Sequence, residues 1–98
     1  MKVLLAEDSR TNQILIRAYI EEAGHEIIIA QDGQQAIDLF NESQPDLVLM
    51  DIIMPVMDGI ESATQIHDIC TSKDKWIPII FLSALSDAND IVRAIDAG

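Results

Sequence analysis

The stretch Asp46-Leu47-Val48-Leu49-Met50-Asp51-Ile52-Ile53-Met54-Pro55-Val56-Met57-Asp58-Gly59 decides the fold. Leu47 to Met50 is apolar at every successive position, which excludes a strand with one wet face. It reads as a strand buried on both faces, as in parallel sheets. The run stops on Asp51, with Pro55 and Gly59 following in the next two turns' worth of chain. An acid at the carboxyl end of such a strand either caps a turn or stands where open α/β sheets place their ligand sites. The first strand weighs between these readings. Lys2 to Ala6 (Lys-Val-Leu-Leu-Ala) is another short buried strand, and it too ends on acids, Glu7 and Asp8.

Outward from these two strands, periodicity and punctuation supply the remaining elements. Ser9 is an N-cap for a helix over Arg10 to Ala23, in which Ile14, Leu15, Ala18 and Tyr19 recur at helical spacing and Gly24 is the stop. Glu26 to Ala30, with three consecutive isoleucines, reads as a buried strand. Asp32-Gly33 is a turn, and Gln34 to Asn41 a helix that turns Ala36, Ile37, Leu39 and Phe40 inward. Asp58-Gly59 opens a helix carrying Ile60, Ala63, Ile66, His67 and Ile69 to about Cys70, followed by a polar loop from Thr71 to Trp76. Pro78 introduces a fourth buried strand, Ile79 to Leu82, ending on Ser83, and Ser86 or Asp87 caps a last helix that stops at Gly98.

Strands alternating with helices predict the α/β class, a doubly wound parallel sheet with helices on both faces. Covering both faces with right-handed crossovers requires a reversal of winding, which opens a crevice at the carboxyl ends of two neighbouring strands. With the strands of Lys2–Ala6 and Leu47–Met50 flanking it, Glu7, Asp8 and Asp51 converge there.

Composition narrows the function classes. The 98 residues allow one small domain, and an apolar content of 49% is enough to build a core. Seventeen acids against six Lys and Arg give a net charge of −11, so direct nucleic-acid binding and docking on anionic membranes are not expected. A single cysteine, Cys70, fits a reducing compartment, and Glu7 and Asp8 interrupt any signal-like apolar start, so the expected location is the cytoplasm.

Three carboxylates in a partly buried crevice raise one another's pKa unless a cation is present. An all-oxygen set with room for water suits Mg²⁺. Beside such an ion an exposed aspartate becomes a phosphoryl acceptor, and the hydroxyl of Ser83 at the next strand end can donate to a phosphoryl oxygen.

Glu7-Asp8, Asp51 with Met54-Pro55 and Asp58-Gly59 after it, and Phe81-Leu82-Ser83-Ala84 together resemble the receiver domain of bacterial two-component response regulators. The resemblance implies a flavodoxin-like sheet of order 2-1-3-4. It implies a phosphorylation-dependent signalling switch, not an enzyme acting on an external substrate. Asp51 would take a phosphoryl group from the phosphohistidine of a histidine kinase or phosphotransfer protein, and an output domain outside this chain, attached or partnered, would respond. Glu7, Asp8, Asp51 and the backbone carbonyl of Ile53 would hold Mg²⁺, and Ser83 would sense the phosphoryl group.

One departure from the family pattern changes the expectation. The family's fifth strand and helix follow the point at which this sequence stops, so residues 1–98 read as a receiver domain incomplete at its C-terminus, without the family's paired lysine. Lys2, Lys73 and Lys75 all precede strands, and a strand of roughly 17 Å keeps them from Asp51. Arg10, on the correct side, reads as a solvated first-turn residue. The alternative function is therefore a pseudo-receiver, a docking or dimerisation module without phosphotransfer. A chain truly ending at Gly98 would also expose Ile79–Leu82 as an edge and uncover one sheet face, so such a chain is expected either to be unstable or to associate through that face and edge, as in a homodimer.

Other classes fit less well. An aspartate-dependent phosphatase resembles Asp-x-Asp at the nucleophile, and here Ile53 stands two beyond Asp51. A flavin-binding domain needs a phosphate loop after the first strand, where Glu7-Asp8 would repel it. His25 and His67 lack ligand-spaced partners, Cys70 reads as a small buried residue, and Trp76 as a ring packed over the start of the fourth strand. Met54 and Met57, beside the acceptor, read as loop and core packing.

Overall fold

A computed structural model describes residues 1–82 of the chain. Its elements run β1 (Lys2–Ala6), α1 (Arg10–Glu22), β2 (Glu26–Ala30), α2 (Gly33–Ser43), β3 (Leu47–Met50), α3 (Gly59–Ser72) and β4 (Ile79–Phe81). All pairings are parallel and the sheet order is β2-β1-β3-β4, so winding reverses between β1 and β3, as expected. Ser83 and the expected last helix lie outside the described residues.

Alternation along the two central strands explains why neither face can be wet. Leu4, Ala6, Val48 and Met50 turn to one face and pack with Ala36, Ile37 and Phe40 of α2 and Ile66 and Cys70 of α3. Val3, Leu5, Leu47 and Leu49 turn to the other face, against Ile16 and Ile20 of α1. Every residue of β3 is buried. Removing an unbroken apolar run from water on both sides is the dominant favourable term for a domain of this size.

Polar side chains fix where the helices begin. Ser9, Asp32 and Asp58 are the N-caps of α1, α2 and α3, each accepting the backbone N–H of the residue three positions on. Asp32-Gly33, read as a turn, is thus the cap and first residue of α2, which runs on to Ser43 and closes on Gln44 in the left-handed region (φ 50).

Three packing expectations are corrected. In α1 the buried stripe is Ile16 and Ile20, while Ile14 is 61% exposed and Leu15 52%. Ile27, Ile28 and Ile29 of β2 are half-buried, because β2 is the outermost strand on its side of the sheet. Trp76 is 77% exposed at the α3–β4 loop, so its ring is not packed down over the start of β4. Cys70 is buried as expected, and among the described residues no helix is long and apolar enough to cross a membrane.

Candidate functional site

Register carries the acids to one place. Ala6 and Met50 are partners across β1 and β3, so the next residues, Glu7 and Asp51, leave the sheet side by side. The ladder continues one step further: the Asp51 N–H donates to the Ala6 carbonyl (2.9 Å) and the Glu7 N–H to the Ala30 carbonyl (3.0 Å). The backbones of both acids are therefore held by the sheet. Glu7, Asp8 and Asp51 each place a carboxylate oxygen within 4.8 Å of the others, with Glu7 buried, Asp51 half-buried and Asp8 exposed.

Glu7 is gripped from three directions. Its Oε1 accepts from the Asn12 amide (2.7 Å), its Oε2 from the Asp8 N–H (3.1 Å), and its carbonyl from the Gln13 amide (2.6 Å). Burial pushes its carboxyl up to about 7; the hydrogen bond to Asp51 adds to the rise, as do the charges of Asp51 and Asp8, while the Asn12 amide pulls the other way. The single ion pair among the described residues, Arg17–Glu21 at 3.4 Å, lies on the outer surface of α1, and no Lys or Arg among them pairs with the triad. Lys2 instead donates to the Ser43 carbonyl (3.1 Å), at the amino end of the sheet. A cluster of acidic oxygens without a protein counter-charge fits a hard divalent cation, and one or two carboxylates plus open space fit Mg²⁺.

The loop from Asp51 to Gly59 is bound at both ends. The Met57 N–H donates to the Pro55 carbonyl (2.7 Å) around Val56, whose φ of 68 is unusual for a β-branched residue. The Gly59 N–H donates to the Ile52 carbonyl (2.8 Å) and the Gly33 N–H to the Met57 carbonyl (3.1 Å). Side chains at both glycines are excluded by contact: a Cβ would stand 2.0 Å from the Asp51 carbonyl oxygen at Gly59 and 2.3 Å from that of Met57 at Gly33. Met54 is buried and Met57 packs against the core, whereas Ile53 and Val56 project into solvent beside the acids.

The structure thus brings Glu7, Asp8 and Asp51 together, with Ile53 two residues beyond Asp51; Ser83 lies outside the described residues. His67 is exposed on α3 and His25 meets the amino group of Met1 (3.0 Å), and neither joins a metal-ligating group. Sequence reasoning missed Asn12, Gln13, Gly33 and Ser62. Two amide side chains in the first turn of a helix that follows two acids were the available signal for the first pair.

A family model described as the response regulator receiver domain matches residues 3–98. The chain is 38% identical over 102 residues to hybrid signal transduction histidine kinase I of Dictyostelium discoideum, covering 99% of the chain and 6% of that protein. It spans between 6% and 45% of the length of curated relatives it matches. Among solved structures, the Vibrio cholerae chemotaxis protein CheY4 superposes with a TM-score of 0.84 at 20% identity, over 98% of this chain and 96% of that one. The Saccharomyces cerevisiae receiver domain of Ssk1, crystallised with the histidine phosphotransfer protein Ypd1, gives 0.74 at 29% identity, over 83% of this chain and 60% of that one.

Proposed function

Because this chain belongs to the response regulator receiver domain family, a module of two-component signalling, we propose that Asp51 is its phosphoacceptor. One Asp51 carboxylate oxygen attacks the phosphorus of a phosphohistidine. The P–N bond breaks, the imidazole of the donor leaves with the electron pair, and an acyl phosphate remains on Asp51. The observation that carries this reading is the meeting of three carboxylates within 4.8 Å at the ends of β1 and β3, with no cationic partner among the described residues.

Glu7, Asp8, Asp51 and the Ile53 carbonyl would hold Mg²⁺, which when bound supplies charge neutralisation between the acceptor and the incoming phosphoryl oxygens. The half-buried Asp51 stays reachable, while the sheet hydrogen bonds keep its backbone from moving as charge develops. Ser83 would report the phosphoryl group by donating its hydroxyl. The donor is a histidine kinase or phosphotransfer protein, and the responder is an output domain outside this chain. The chain modifies itself and turns over no external substrate. A lone buried Cys70 suits a reducing compartment, and the proposal places the module in the cytoplasm.

The test is labelling by a phosphohistidine donor or acetyl phosphate in the presence of Mg²⁺. Asp51 should be the sole labelled residue, and omitting the metal should remove the label. An Asp51→Ala protein that labels at the wild-type level would defeat the assignment.

A further inference from the structure

Ser62 is the one fully buried polar side chain among the described residues that the acid site does not use. It lies in the first turn of α3, and its hydroxyl donates to the Gly33 carbonyl (2.8 Å). Gly33 opens α2 and in turn donates its N–H to the Met57 carbonyl (3.1 Å). The Ser62 N–H donates to the carbonyl of Asp58, the residue after Met57 (3.0 Å). These bonds close a ring through α2, the acceptor loop and α3.

The other side of that turn bears on the acceptor. Gly59 donates to the Ile52 carbonyl (2.8 Å) and sits so near Asp51 that a Cβ would stand 2.0 Å from its carbonyl oxygen. The first turn of α3 therefore leans on the backbone of Asp51 and Ile52, and its place relative to α2 is set where Ser62 meets Gly33. For apolar packing alone an alanine would serve at this position. A hydroxyl bonded in a dry site adds a fixed direction and length.

Resting on the phosphoacceptor reading, we propose that Ser62 is a positioning residue for Asp51: through Gly33 and the Met57–Gly59 segment, its hydroxyl fixes the backbone from which the acceptor carboxylate projects. Ser62 itself touches neither donor nor metal.

Ser62→Ala in the intact protein, held where denaturation curves show it fully folded, tests this. Misplacement of reacting groups by about 1 Å costs on the order of 100-fold, and a released hydroxyl moves them less, so acetyl phosphate should label Asp51 about 5–10-fold more slowly at saturating Mg²⁺. Amide hydrogen exchange at Gly59 should quicken together with that at Gly33. Ser62→Cys, whose thiol is a weak donor, should recover part of both. The exchange measurement does not depend on phosphorylation: an unlabelled wild type defeats the phosphoacceptor reading, while Gly59 still reports whether Ser62 governs the loop. A folded Ser62→Ala protein with the wild-type labelling rate, or with unchanged Gly59 exchange, overturns the proposal. Should that variant not fold, Ser62→Cys carries the same readouts, and wild-type values in both overturn it equally.

Discussion

At the scale of the residue, Glu7 is where burial and chemistry conflict. Its carboxyl, raised to about 7 by burial first and by Asp51 and Asp8 after it, keeps its proton in the folded chain where an unfolded chain has released it near 4.5. A group whose folded pKa is raised binds more protons folded than unfolded, so stability falls as pH rises through that window. Without divalent ions the loss between pH 4.5 and 7 should reach about 3 kcal/mol at most. Glu7→Gln keeps the shape and can still accept from Asn12. Urea denaturation of this variant should show little of the fall, and at pH 7.5 it should be more stable than wild type. A variant that follows the wild-type pH profile would remove Glu7 as its source. The acids themselves were legible because each ends an apolar run. Asn12 and Gln13 were not, since only the turn between β1 and α1 decides that their amides fold back on Glu7.

Among the elements, strands were read more accurately than helix faces, and the reason is geometric. From Val3 to Ala6 of β1 and throughout β3 every residue is apolar, so no choice of face had to be made. In α1, Ile14, Leu15 and Ala18 and also Ile16 and Ile20 satisfy helical spacing. The chain direction after Ser9 selects the second set, and spacing alone cannot. The start of α3 shows the opposite balance, because there the backbone leaves no choice. Replacing Gly59 by alanine would gain about 1 kcal/mol of helix propensity. Its Cβ, however, would stand 2.0 Å from the Asp51 carbonyl oxygen, a backbone atom that cannot rotate aside. Overpacking of this kind costs typically 1–3 kcal/mol, so with the propensity gain set against it Gly59→Ala should be net destabilised by up to about 2 kcal/mol in a denaturant titration, and its displaced Asp51 should label poorly. A Gly59→Ala chain as stable as wild type would show that the loop can yield there.

The whole molecule carries seventeen acids against six Lys and Arg, a net charge of −11. Two effects of added magnesium must therefore be separated. Any salt screens self-repulsion, since the Debye length falls to about 10 Å at 0.1 M, and raising NaCl from low ionic strength should raise the melting midpoint. Binding at Glu7, Asp8 and Asp51 adds a second term, which the fold makes local because register brings only those three acids within 4.8 Å among the described residues. A ligand at ten times its dissociation constant stabilises by about 1.4 kcal/mol. MgCl₂ at matched ionic strength should thus raise the midpoint further than NaCl does, by several degrees for a domain of this size. Asp8→Asn removes one carboxylate that is exposed and free of packing duties, so its own cost to stability is small. In that variant the NaCl response should persist and the magnesium-specific increment should largely vanish. An Asp8→Asn protein that keeps the full increment would mean that magnesium acts on the acidic surface as a whole, and the triad would then have no claim to the ion.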